Sequence, residues 1–221
     1  NKGYYVAFAP DITCEEEYPI SYLAFKKRHS KWTQGNMEFI KKYTWRIIKS
    51  KMTWYEKLDI VLFTYSLPLS AFFAMYIAIN VVLLPYLQYR LDYPLWLIIP
   101  TIIFLFAPML NDIIFYGRRI NPFHLGWYLI NTILLYGSML YTSLYSSIKS
   151  LFGKSIFLVT PKDHNHLSRR EALLANKGEL LFGGMILGVA YVFNQSILPT
   201  IIIAVPALAS VYLALMANKR R

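Results

Sequence analysis

A mainly α-helical, multi-pass membrane domain, preceded by the tail of an α/β domain, is the fold class this sequence predicts. Three observations predict it. Hydrophobic residues make up 56% of the 221-residue chain and charged residues 16%, where soluble domains carry about 25% charged residues. Four long stretches, Ile60–Tyr89, Tyr93–Asn111, Ile120–Ile148 and Leu180–Asn218, hold no Asp, Glu, Lys or Arg. The first sixty residues, by contrast, are polar and carry both signs. A membrane-spanning helix takes about 20 apolar residues, so each of the first three stretches has room for one. The composition excludes an ordinary soluble enzyme and a disordered chain. Lys plus Arg is 23 and Asp plus Glu 12, a net charge of +11. Such a balance with many aromatics suits nucleic acid or a membrane. The segregation of charge from the apolar stretches decides for the bilayer, and no nucleic-acid partner is expected.

From the N-terminus, Tyr4–Ala9 is a short β-type run closed by Pro10-Asp11. Glu15-Glu16-Glu17 and Pro19 follow, and Ser21–Arg28 reads as helical. This resembles a last strand and helix more than a whole domain, and the chain opens at Asn1 rather than Met. The expectation is the C-terminal part of a longer protein. Cys14 stands alone, so no internal disulfide forms. Asp11 and Glu15–Glu17 read as surface carboxylates.

Residues 36–51 repeat at helical spacing. Met37, Ile40, Thr44, Ile47 and Ile48 share one side, and Lys41, Lys42, Arg46 and Lys49 the other or its flanks. With Trp45 and Trp54 nearby, the pattern suits a helix in the membrane interface; an amphipathic helix on a soluble core is the alternative. Crossings are expected near 62–86, 94–114, 178–195 and 198–217, the last two parted by a turn at Asn194-Gln195-Ser196 with Pro199 beyond. Residues 121–147 are rich in Tyr, Ser, Thr and Asn and read as a tilted or interfacial helix that returns to the same side; a single full span is the alternative. The expected division is 1–35 the end of a cytosolic domain, 36–59 the interface helix, and 60–221 the membrane region with a loop at about 150–177. Eleven Lys or Arg fall in residues 1–59, six more in the connection at 149–177 and three at the C-terminus, all of which this arrangement places on the cytoplasmic side.

Two motifs carry chemistry. Arg28-His29-Ser30-Lys31-Trp32-Thr33-Gln34-Gly35-Asn36 sets cations beside a Trp. Lys and Arg suit phosphate oxygens, and an aromatic face suits the C–H face of a sugar ring. The plainer reading is a basic helix end with its Trp anchored at the bilayer surface. Phe157-Leu158-Val159-Thr160-Pro161-Lys162 sets a hydroxyl, a fixed turn and a cation in a connecting loop. Such a loop closes over a phosphate-bearing ligand, or is simply an extended piece with solvated lysines. Polar residues within the apolar stretches (Tyr65, Ser66, Asn80, Asn111, Asp112 and the Tyr row of 128–145) suggest either interfacial anchors or an aromatic-lined passage. Asp163-His164-Asn165-His166 lacks the further ligands that a metal site needs. Gly183, Gly184 and Gly188 read as positions of close helix packing.

The hexapeptide resembles the FxVTxK gating-loop signature of cellulose synthase-like processive glycosyltransferases. The N-terminal run G-Y-Y-V-A-F-A-P-D, then E-E-x-P and a basic helix at the QxxRW position, resembles the region following that family's TED motif. The R-x-x-K-W-x-Q-G-N form is nearest to osmoregulated periplasmic glucan glucosyltransferases. The resemblance spans nearly the whole chain. It implies that residues 1–35 end a GT-A domain, that Trp32 stacks on the acceptor sugar with Arg28 beside it, and that Lys31 contacts the donor pyrophosphate. Arg28 stands where the family has Gln, a departure. Phe157, Val159, Thr160 and Lys162 would close over the nucleotide. No DxD or TED occurs here, so the resemblance places the catalytic carboxylates and most ligands of a divalent Mg or Mn ion upstream, on the same or another chain. The implied activity is inverting polymerisation of a sugar, glucose from UDP-glucose into a β-glucan, with export of the polysaccharide across the lipid bilayer of the bacterial inner membrane. Two alternatives are a non-processive enzyme acting on a lipid acceptor, and a small transporter or channel subunit.

Overall fold

The computed structural model describes residues 9, 11–13, 18–89, 96, 98–153, 167–195 and 197–218. These are mainly helical, and no strand occurs among the described residues. Residues 4–8 of the β-type run, with their place in a GT-A domain, lie outside them.

Helix α1, Tyr22–Ile48, starts where the Ser21 hydroxyl accepts from the Ala24 N–H at 3.2 Å. It runs unbroken through Gly35, so the two helical segments expected either side of that glycine are one. The reason is a continuous buried stripe: Tyr22, His29, Thr33 and Met37, spaced i, i+7, i+11 and i+15, are all buried. One mid-helix glycine costs about 1 kcal/mol, less than such a stripe contributes. The chain turns at 49–53, where the Lys57 ammonium donates to the carbonyls of Ile48 and Ser50, both at 2.9 Å. Helix α2, Trp54–Tyr86, opens on a Glu56 carboxylate that accepts from the Thr53 N–H and hydroxyl, and it carries Pro68 and Pro85 inside. The second apolar stretch is α3, Ile98–Phe106, and α4, Leu110–Gly117, joined by a tight turn at Ala107–Met109 that contains Pro108.

Helix α5, Pro122–Phe152, is one uninterrupted 31-residue helix, about 46 Å long at 1.5 Å per residue. The Asn121 side chain caps it and Pro122 leads it. It is the central element, packed by α1, α2, α7 and α8. Helix α6, Arg169–Ala175, and α7, Lys177–Asn194, meet at Asn176 with a 67° bend. The expected turn follows, with Gln195 in the left-handed region at φ 51°. Then come α8, Ile201–Leu208, and α9, Ser210–Asn218. Among the described residues no single helix is long and apolar enough to cross a membrane; the bent pair α6–α7 meets that test together.

Close approaches fix the bundle. A Cβ at Gly137 would lie 2.7 Å from Pro206, and one at Gly178 would overlap the Tyr141 ring. Gly183 faces Leu208 and the Ala204 carbonyl at 3.0–3.2 Å, as expected of a packing glycine. Gly184 and Gly188 face open space, which corrects the packing role expected of them: the 3.6-residue period turns both away from α8.

Candidate functional site

Periodicity splits the Arg28–Asn36 motif between two faces of α1. His29, Thr33 and Met37 turn inward. Arg28, Lys31, Trp32 and Gly35 stand at i, i+3, i+4 and i+7 and share the other face. The Arg28 guanidinium lies 4.5 Å from the Trp32 ring centroid and 5.7 Å from that of Tyr18, within the range of cation–π attraction. Trp32 keeps 47% of its surface exposed. A Cβ at Gly35 would meet no atom within 4 Å, so the helix presents bare backbone one turn beyond the indole. The structure thus brings Arg28, Lys31 and Trp32 onto one ledge. Chemically the ledge offers an aromatic plane, a guanidinium fork and an ammonium.

The inward face holds that ledge in register. The Tyr22 hydroxyl donates to Ser138 at 3.0 Å, His29 Nε2 meets the Ser143 hydroxyl at 2.7 Å, and Ser30 meets Ser146 at 2.7 Å. The Lys41 ammonium donates to the Ser150 carbonyl in the last turn of α5, where the helix dipole favours a cation. These partners advance in the same direction on both helices, so α1 and α5 run parallel. Burial pushes His29 down to about 4, leaving it neutral near pH 7. Positive charge on the motif therefore comes from Arg28 and Lys31.

Sequence reasoning missed a second cluster. Glu179, 1% exposed, receives the Lys26 ammonium at 2.5 Å and the Thr142 hydroxyl at 3.0 Å. Lys26 also donates to the Ala175 carbonyl at 3.0 Å and the Asn176 side chain at 3.2 Å. One lysine of α1 thus ties down the bend between α6 and α7. The sequence carried a faint signal for it: Glu179 is the last charge before the fourth apolar stretch, and a carboxylate there needs a partner. The serines and threonine within 138–147, part of the polar content read as a tilted or interfacial helix, are buried against α1 and α7, where Ser138, Thr142, Ser143 and Ser146 find partners.

The loop residues Phe157, Val159, Thr160 and Lys162, and the pair His164 and His166, lie outside the described residues, as do Glu15–Glu17. Among the described residues no group of three His, Cys, Asp or Glu could hold a metal ion. The donor set for a Mg or Mn ion is not met by them.

A helical bundle that displays an aromatic–cation ledge suits a protein handling sugars and phosphates. The chain belongs to the glycosyl transferase family group 2, whose model matches residues 1–116, a span that includes α1, α2 and α3. Glycosyl transfer is the chemistry of that family, from an activated nucleotide-sugar donor to an acceptor. No solved structure matches the chain.

Proposed function

We propose that this chain is the acceptor-binding and membrane part of a processive, inverting glycosyltransferase that builds a glucan from UDP-glucose and passes it across the bacterial inner membrane. The observation that carries the reading is the exposed Trp32 ring, stacked by Arg28 and aligned with Lys31 and Gly35 on one face of α1. An indole plane beside bare backbone suits a pyranose ring. In the reaction the acceptor hydroxyl attacks the anomeric carbon, a carboxylate takes its proton, and the carbon–oxygen bond to the diphosphate breaks with inversion. By resemblance that carboxylate belongs to the upstream glycosyltransferase core, on the same or another chain. Lys31 offers charge to the leaving diphosphate, and Phe157, Val159, Thr160 and Lys162 close over the nucleotide.

The exposed apolar side chains of α2 and α7, among them Leu62, Phe63, Leu181 and Val192, suit lipid contact and support the placement in a bilayer. The N-terminal end, the loop and the C-terminus are then cytoplasmic. The test is product length in the full-length enzyme. Trp32→Ala should shorten the polymer with donor hydrolysis retained; unchanged length would refute the acceptor role. A single-sugar lipid product from the unaltered enzyme would favour the non-processive alternative.

A further inference from the structure

Beyond Met37 the outer side of α1 is uncovered. Between Phe39 and Tyr55 lie Lys41, Lys42, Arg46, Lys49 and Lys51 and no carboxylate. Lys41 is engaged with α5, whereas Lys42, Arg46 and Lys49 project at i, i+4 and i+7 on one side. Aromatic faces sit against them: Lys42 and Arg46 lie 5.2 and 5.9 Å from the Tyr43 ring centroid, and Lys49 5.3 Å from that of Trp45. Trp45 is 66% and Trp54 75% exposed. Because Lys57 closes the turn, these tryptophans and Tyr55 crown a two-helix tip. Along the chain the flanking carboxylates are Glu38, Glu56 and Asp59, and Glu56 already accepts from Thr53.

We propose that this tip is a docking surface for the headgroups of acidic phospholipids. The proposal rests on the bilayer placement of the chain and goes beyond it. An apolar interface alone is indifferent to headgroup charge, whereas a rank of cations among exposed indoles prefers an anionic leaflet. The phosphate diester itself is common to acidic and zwitterionic lipids, so the discriminating feature is the uncompensated negative charge. The cations lie at the tip from which the apolar α2 departs, which selects a membrane surface over a soluble phosphate.

The test uses the purified chain in nonionic micelles doped with brominated phosphatidylglycerol or brominated phosphatidylcholine. Quenching of Trp45 is the wild-type signal less that of Trp45→Phe. Phosphatidylglycerol should quench at a roughly tenfold lower mole fraction than phosphatidylcholine, and the gap should narrow as salt rises. The variant Lys42→Gln/Arg46→Gln/Lys49→Gln should abolish the gap, and Lys42→Arg/Lys49→Arg should keep it. Equal quenching by the two lipids overturns the proposal, as does a gap that survives in the triple Gln variant. Loss of the gap with inorganic phosphate, where sodium chloride of equal ionic strength leaves it intact, also overturns it, in favour of a free phosphate ligand. Extraction of the chain from membranes by alkaline carbonate would defeat the bilayer placement and the proposal together. Retention without a lipid preference would defeat the proposal alone.

Discussion

At the residue scale, two side chains of one motif behave oppositely because a helix turns 100° per residue. His29 is buried and uncharged, while Arg28 next to it stacks on an exposed ring. His29 titrates at about 4 in the folded chain, below its ordinary 6.5, so the unfolded chain takes up the proton first. Stability is therefore full above about pH 6.5 and falls as pH drops toward 4, by up to about 3 kcal/mol. Thermal midpoints between those pH values should show this slope, and His29→Gln should flatten it; an equal slope in both proteins would refute it. Gly35→Ala separates structure from ligand binding. It should stabilise α1 by about 0.5–1 kcal/mol in a denaturation assay. If a sugar lies on the bare backbone, the same change should lower polymer synthesis.

At the element scale, α1 is held by polar pairs rather than by a purely apolar seam. Such pairs fix register, because a shift of one residue leaves each hydroxyl and the Glu179 carboxylate without a partner. Lys26→Met leaves a buried charge uncompensated and should cost about 3–5 kcal/mol, while Lys26→Met/Glu179→Met should recover most of that loss. A double variant as unstable as the single one would show that the pair is not the cause. Packing at glycines makes a separate prediction. Gly137→Ala drives a methyl into Pro206 and should cost about 1–3 kcal/mol, whereas Gly184→Ala, facing open space, should be neutral or mildly stabilising. Comparison of their melting temperatures checks both.

At the scale of the whole molecule, charge is confined to α1, the ends of the other helices and the connections, while the bodies of α2, α3, α7 and α8 are apolar. The proposed topology gives the single cysteine, Cys14, a cytoplasmic address. In a Cys14→Ser background, a membrane-impermeant maleimide should label Lys51→Cys, at an exposed site in the cytoplasmic turn between α1 and α2, in inverted vesicles and not in sealed right-side-out ones. The reverse pattern would overturn the orientation assigned to the α1 ledge, and with it the route proposed for the polymer.

How much was legible varied with the range of the interactions. The turn near Asn194 was readable because a break in an apolar run needs polar residues and a Pro beyond. The ledge residues Arg28, Lys31 and Trp32 were readable as a motif, and their common face follows from helical spacing. The unbroken passage of α1 through Gly35 was not, since a glycine looks like a boundary until the buried stripe on both sides is seen. Nor was the bond between Lys26 and Glu179, whose separation along the chain leaves no local trace. By itself, then, the sequence determined the helical class, the apolar stretches and the cation–aromatic motif, because periodicity and composition are local. Only the tertiary structure decided which face of α1 stays open and which polar groups lock it to α5 and α7, because burial is decided by what packs alongside.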